Sequence, residues 1–157
     1  MRLALFQPDI PQNVGAAMRL CACLNVGLDI IEPCAFPLDD RAMRRAALDY
    51  GPLAAVARHE SWAAFLAQVA PPARLVLLST RGEGRFPDFA FRADDIVLMG
   101  SESAGAPDAV HHAAFARLRI PIAGPARSLN VVTAATLALG EALRQNSLYP
   151  SDGSAPA

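Results

Sequence analysis

Long apolar runs, cysteines and net charge are all scarce in this chain of 157 residues, and each scarcity removes a class of protein. No apolar run approaches the ~20 residues that a helix needs to cross a bilayer, so a membrane protein is not expected. The opening Met1-Arg2-Leu3-Ala4-Leu5-Phe6 meets Gln7-Pro8-Asp9 too early for the apolar core of a secretory signal, which makes a cytoplasmic setting the expectation. The three cysteines, Cys21, Cys23 and Cys34, are an odd number in a chain that needs no covalent staples, so reduced thiols are expected. Cys21 and Cys23 stand two apart in an expected helix and point in different directions, which speaks against a disulfide or a metal site. A formal charge of −1 removes the strongly basic nucleic-acid binders and leaves room for a local arginine patch. What remains is a chain that is 53% hydrophobic, enough for one compact domain over residues 1–149. The last residues, 150–157, have the composition of a disordered tail.

The pattern along the chain alternates. Leu3–Phe6 reads as a strand, Asn13–Leu24 as a helix ended by Gly27, and Leu28–Ile31 as a second strand. Asp39-Asp40 opens a helix carrying Arg41, Arg44 and Arg45, with its carboxylates at the positive end of the dipole. Ser61–Val69 reads as another helix, stopped by Pro71-Pro72. Leu75–Leu78 and Ile96–Met99 are short continuous apolar runs of the kind buried in parallel sheets, with a loop around Gly82 and Gly84 between them. Pro107–Ala114 is expected as a short helix, Leu118–Ile122 as the last strand, and Ser128–Arg144 as a long apolar helix. Strands alternating with helices predict an α/β fold with a mainly parallel sheet flanked by helices.

Three polar stretches stand out. Pro11-Gln12-Asn13-Val14-Gly15, followed by Arg19, opens a helix. Gly100-Ser101-Glu102-Ser103-Ala104-Gly105 and Ile120-Pro121-Ile122 leading to Ser128-Leu129-Asn130 each follow a strand, where an α/β protein offers free backbone groups to a ligand. Gly100 and Gly105 bracket a turn whose missing side chains let the backbone approach a flat ligand, while Glu102 holds the loop or accepts a hydrogen bond. The GxExxG spacing by itself equally suits a plain strand-to-helix turn, and it matches neither the dinucleotide nor the phosphate-loop fingerprint. Ser128 is placed as a helix N-cap. Asn130, an amide beside so apolar a helix, needs a partner. His59, His111 and His112 show no ligand spacing and read as core or surface residues, and Trp62 as a packing residue.

In order and spacing, these three stretches resemble the three motifs of SPOUT-class RNA 2′-O-methyltransferases. The likeness extends through Ile31-Glu32-Pro33, Asp39-Asp40-Arg41, Arg44-Arg45-Ala46 and Leu48-Asp49-Tyr50, which is similar to the single-domain TrmL type acting on the wobble nucleotide of tRNA. It covers the chain to about Tyr149. The resemblance implies a fold whose C-terminal segment is threaded into a trefoil knot, an exception to the rule that chains avoid knots. It implies S-adenosylmethionine as cofactor, tRNA as substrate, a homodimer, and no metal. Carried over by position, the cofactor contacts fall on Leu78, Gly100, Glu102, Gly105, Ile120, Ser128 and Leu129. The catalytic set falls on Arg19, Asn130 and Ser128, with RNA contacts expected at Asn13 and Arg19. By their charge Arg41, Arg44 and Arg45, with Arg81, Arg85 and Arg127, are candidates for phosphate contacts, a solvated charged face being the alternative. After Asn130 the family commonly carries a serine and an asparagine where this chain has Val132 and Thr133.

The implied reaction is in-line transfer of a methyl group to a ribose 2′-hydroxyl, a poor nucleophile until its proton is removed or strongly hydrogen-bonded. A guanidinium stays protonated, so binding the adjacent phosphate and orienting the hydroxyl suits Arg19 better than acting as a free base. Three alternatives stay open on the residues: a catalytically weak relative that binds cofactor or RNA as a module, 2′-O-methylation at another RNA site, and a small nucleotide-binding α/β protein whose glycine turns only resemble the motifs.

Overall fold

The computed structural model describes residues 1–38 and 55–151. Arg41, Arg44, Arg45, the helix expected from Asp39 and nearly all of the expected tail lie outside the described residues. The elements in chain order are β1 (Arg2–Phe6), α1 (Pro11–Leu24), β2 (Gly27–Ile31), β3 (Val56–His59), α2 (Trp62–Leu66), β4 (Leu75–Leu78), β5 (Gly84–Arg85), a 3-10 turn at Phe86–Asp88, β6 (Ile96–Met99), α3 (Asp108–Ala113), β7 (Ala116–Arg119) and α4 (Val131–Asn146). The strands form one sheet in the order β3-β2-β1-β6-β4-β7-β5. All six pairings are parallel.

The alternation of side chains across this sheet builds two cores. On one face Leu3, Leu5, Leu28, Ile30, Val76, Leu78, Val97, Met99 and Leu118 meet Val14, Ala17, Met18 and Cys21 of α1 and Ala135, Ala138, Leu139 and Ala142 of α4. On the other, Ala4, Phe6, Ile31, Leu75, Leu77, Ile96 and Leu98 meet Phe65 of α2 and Val110 of α3. The central strands are covered on both sides, which is why β4 and β6 read as unbroken apolar runs. Full burial of one such leucine contributes about 1.5–3 kcal/mol. Small residues on α4 let that helix lie close to the sheet. Trp62 stacks on Phe65 and meets Phe6 edge-on, a packing role.

Register brings the functional stretches together. Leu5 is level with Met99, Met99 with Leu78, and Leu78 with Leu118. The loops that follow β1, β6, β4 and β7 therefore all leave the same edge of the sheet, at the place where strand order reverses, the usual seat of ligands in open α/β sheets. Gln7, in the left-handed region at φ 46°, turns the chain off β1 toward α1, which begins at Pro11 in the first helical position. Beyond β4, the turn at Ser79–Gly82 crosses directly over the end of β7. Ser79 N–H donates to the Leu118 carbonyl at 2.9 Å, and a Cβ on Gly82 would lie 2.3 Å from the Leu118 carbonyl carbon. Arg119 clamps the crossing by donating to the carbonyls of Gly82 and Glu83.

Several boundaries differ from the sequence reading. Asn25, left-handed at φ 53°, ends α1, and Gly27 opens β2 instead. β3 and the two-residue β5 carry no apolar run and were not expected; each is an edge strand half open to solvent. β7 is Ala116–Arg119, so Ile120 already belongs to the loop. α2 is confined to Trp62–Leu66, capped by Ser61. His59 and His111 are buried. His59 Nε2 lies 2.7 Å from Asp29 Oδ1, and Arg2 donates twice to the same carboxylate at 2.6 Å. Cys21 is buried and Cys23 exposed, as their spacing predicts. Burial pushes the Cys21 thiol up to about 12, which makes it a packing group.

Candidate active site

Asn130, not Ser128, is the N-cap of α4: its Oδ1 accepts from the N–H groups of Val132 at 2.9 Å and Thr133 at 3.3 Å. Ser128 sits two residues earlier in the exposed loop, where an N-cap bond is out of reach. The cap determines everything that follows. With its oxygen committed to backbone donors, Asn130 must present its amide nitrogen, which donates to Asn13 Oδ1 at 3.0 Å. Asn13 must then present its own nitrogen, which donates to Glu102 Oε1 at 2.8 Å. Amide orientation is thus dictated along the chain of bonds, and Glu102 is its terminal acceptor. This relay joins the three sequence motifs in one contact network, from the start of α4, through the first turn of α1, to the loop after β6.

Asp9 completes it. Asp9 N–H donates to Glu102 Oε2 at 3.0 Å, Glu102 N–H returns a bond to Asp9 Oδ1 at 3.2 Å, and Ser103 donates both its N–H, at 3.1 Å, and its hydroxyl to Asp9 Oδ2. Hydrogen bonding with Glu102 and with the Ser103 hydroxyl holds the Asp9 carboxyl down at about 2. Glu102 is raised, first by burial and then by Asp9 facing it. The two carboxylates are pushed apart by unequal solvation and unequal donor supply. Asp9 was absent from the sequence-predicted set; it lies two residues before the first motif, and an Asp in a Pro-rich turn carries no signal of its own.

The loop from Gly100 to Gly105 closes on itself. Ser101 and Gly105 exchange backbone bonds at 3.0 and 2.9 Å, and a Cβ on Gly100 would come within 2.5 Å of the Gly105 carbonyl carbon. Gly100 is therefore required by the loop's own backbone. Gly105 is the reverse case: at φ 69° it occupies the left-handed region, and a Cβ there would meet nothing within 4 Å. Leu78 ends β4 beneath this loop, buried. Every residue from Pro121 to Asn130 is exposed, Ser128 and Leu129 among them. Val132 packs partly against the α1/α4 core, and Thr133 is exposed. Both residues serve the cap through backbone N–H groups, which their side chains do not alter.

Arg19 lies on an exposed position of α1, nearly two helical turns past Asn13. Arg81 pairs with Asp108 at 2.8 Å and Arg85 with Asp88 at 3.2 Å, all four side chains open to solvent. Among the described residues no three His, Cys, Asp or Glu side chains are grouped to hold a metal ion, and no helix is long and apolar enough to cross a membrane.

The chain matches the SpoU rRNA Methylase family over residues 1–140. A tRNA (cytidine(34)-2′-O)-methyltransferase of Beijerinckia indica is 58% identical over 144 residues, covering 91% of this chain and 90% of that protein. One of the same name from Escherichia coli K12 is 37% identical over 147 residues, covering 92% and 93%. A solved structure described as giving structural insights into the 2-OH methylation of C/U34 on tRNA is similar with a TM-score of 0.86 and 42% identity, over 92% of this chain and 94% of that one. The SpoU methyltransferase AviRb of Streptomyces viridochromogenes, solved in complex with AdoMet, has a TM-score of 0.83 at 28% identity, over 92% of this chain and 60% of that one. With the three motifs gathered at one edge of a parallel sheet, and with this identity along nearly the whole length, the chain belongs to the SpoU rRNA Methylase family, within the SPOUT class that its motifs resemble.

Proposed function

We propose that this protein is a tRNA methyltransferase that uses S-adenosylmethionine to methylate the ribose 2′-hydroxyl of the wobble nucleotide, a cytidine or modified uridine, in the anticodon loop. The observation that carries this reading is the Asn130–Asn13–Glu102 relay, which locks the RNA-facing helix start to the loop after β6. The relatives named for this reaction and the AdoMet-bound neighbour support it.

The residues fit the cofactor. Gly105 faces open space and the loop from Pro121 to Asn130 is exposed. Leu78, Gly100, Gly105, Ile120, Ser128 and Leu129 stand at or after the ends of β4, β6 and β7, on the one sheet edge where backbone groups can hold a nucleoside. S-adenosylmethionine, when bound, supplies an activated methyl group on a sulfonium. The chain's own task is to hold the ribose hydroxyl in line, which replaces a two-body encounter by a positioned one. Arg19 binds the neighbouring phosphate and orients the hydroxyl; Asn13, at the start of the same helix, contacts the RNA, and Arg41, Arg44 and Arg45 add phosphate contacts. Asn130 fixes the donor direction of the relay, and Ser128 stands at the cofactor end of the same loop.

Three finer features belong to the same reading. Residues 1–149 form one methyltransferase domain. Threading of the C-terminal segment past the Ser79–Gly82 crossing makes a trefoil knot, supported by the near-contact of Gly82 with Leu118. The protein is a cytoplasmic homodimer; the dimer is supported by the exposed large apolar residues Ile10, Leu129, Leu137, Leu148 and Tyr149, which lie on or next to α1 or α4 and need a cover, while Phe115 and Ile122 are exposed elsewhere.

Mass analysis of nucleosides from tRNA incubated with the protein and labelled S-adenosylmethionine tests the function. A labelled 2′-O-methyl nucleoside is expected. Cofactor binding with no labelled nucleoside from any tRNA would replace the enzyme by a binding module.

A further inference from the structure

We propose that Asp9 is a positioning residue for the cofactor loop, holding Glu102 and Ser103 in the shape that receives the cofactor. This rests on the function proposed above and adds a residue to it. The loop between Gly100 and Gly105 is closed by its own Ser101–Gly105 bonds, yet those bonds do not tie it to the rest of the molecule. Asn13 holds it by one bond to Glu102, and Asp9 by four. The carboxylate accepts three donors from consecutive loop residues, Glu102 N–H, Ser103 N–H and the Ser103 hydroxyl, while Asp9 N–H donates back to Glu102.

The clamp is reciprocal: each carboxylate receives the other's backbone N–H. Glu102 can accept from Asn13 only while its side chain is turned toward α1, and its bond from Asp9 N–H is what fixes that turn. Asp9 thus links two surfaces with different partners. The loop it holds faces the cofactor, and the first turn of α1, four residues on, faces the RNA. It lies in the turn between β1 and α1, outside both cores, so its loss removes anchorage without opening a cavity. Carboxylate-to-amide bonds are the strong ones in such a cluster, and an asparagine cannot replace them, because its NH2 would point at an N–H group.

Calorimetric titration of S-adenosylmethionine into the full chain, followed by steady-state kinetics on tRNA, tests the assignment. In D9N the cofactor dissociation constant is expected to rise about tenfold or more, the size of one lost charge-assisted hydrogen bond, with KM for tRNA within about threefold of wild type. D9E keeps the acceptor and is expected to recover most of the affinity. S103A removes one exposed donor and leaves the core untouched, so it decides the question should D9N fold poorly; about threefold weaker cofactor binding is expected, less than the full worth of a charge-assisted bond because the hydroxyl is exposed and Asp9 keeps its two N–H donors. Wild-type affinity in both D9N and S103A overturns the assignment. So does a D9N defect that lowers cofactor and tRNA affinity equally and that D9E does not relieve. A wild-type protein that binds no cofactor sinks the proposed function itself, whereas normal wild-type binding with unaffected variants sinks this inference alone.

Discussion

Asn130 performs two tasks with two atoms, and a pair of substitutions separates them. Its Oδ1 caps α4, and its Nδ2 feeds the relay through Asn13 to Glu102. Asn130→Ala removes both. Loss of an N-cap costs about 0.5–2 kcal/mol, and loss of a neutral hydrogen bond about 0.5–1.5 kcal/mol. Asn130 is exposed, so the lower halves of these ranges apply, and about 1–2 kcal/mol in total is expected. At this chain length each kcal/mol moves Tm by about 2–4 °C, giving a fall of about 2–8 °C. Asn130→Asp keeps the cap, since Asp caps as well as Asn, but replaces the donor by an acceptor. Asn13 then turns over to donate to residue 130, and its oxygen faces Glu102, which loses its side-chain donor. Expected for Asn130→Asp is a Tm within about 2 °C of wild type with methyl transfer as poor as in Asn130→Ala. Differential scanning calorimetry and a labelled-methyl assay on tRNA give both readings. Equal Tm for wild type and Asn130→Ala, or full activity in Asn130→Asp, would refute the relay.

Arg19→Ala is expected to leave cofactor affinity within about twofold while lowering turnover at least ~100-fold, because its proposed contacts are with RNA; Arg19→Lys recovers little, and calorimetry beside single-turnover kinetics decides it. Gly105→Ala meets no neighbour but must hold φ 69°, a cost of about 1–2 kcal/mol, whereas Gly100→Ala drives a Cβ into the Gly105 backbone and should unfold at the lower temperature of the two. Asp9, depressed to about 2 from 3.8, contributes stability that is present above pH 3.8 and lost as pH falls through 2. Glu102, raised from 4.5, acts in the opposite sense: its contribution is full below pH 4.5 and lost as pH rises through its folded value. Unfolding curves between pH 2 and 5 should therefore lose less stability on acidification in Asp9→Asn than in wild type, and parallel curves would contradict the clamp.

The strands that end beneath the site were legible because they are buried on both faces: Leu75–Leu78 and Ile96–Met99 are continuous apolar runs with no competing reading. Edge strands were not. Val56–His59 carries Arg58 and His59, and its sheet pairing with β2 is a tertiary event that local pattern does not encode. The helix start at Asn130 was displaced to Ser128 because both residues are good caps; the bonds from Val132 and Thr133 settle it for Asn130, and the bond to Asn13, 117 residues away in sequence, is one that local pattern does not show. Glu102 was foreseen as a residue that holds its loop. Its chief partner Asp9 was invisible, since the reciprocal clamp joins residues 93 apart. The glycines were singled out for close approach of a ligand, and the structure adds a demand at each that local sequence does not show: the left-handed φ at Gly105 and the Gly105 backbone that a Cβ on Gly100 would strike.

The central claim is the site of methyl transfer, and it is tested most directly with two anticodon stem-loops that differ in one atom, the 2′-oxygen of the wobble nucleotide. An unpaired loop nucleotide is one whose ribose can enter a pocket on a compact domain. Labelled S-adenosylmethionine is expected to transfer its methyl group to the unmodified stem-loop and to leave the 2′-deoxy stem-loop unlabelled. Label on the 2′-deoxy RNA would contradict the account.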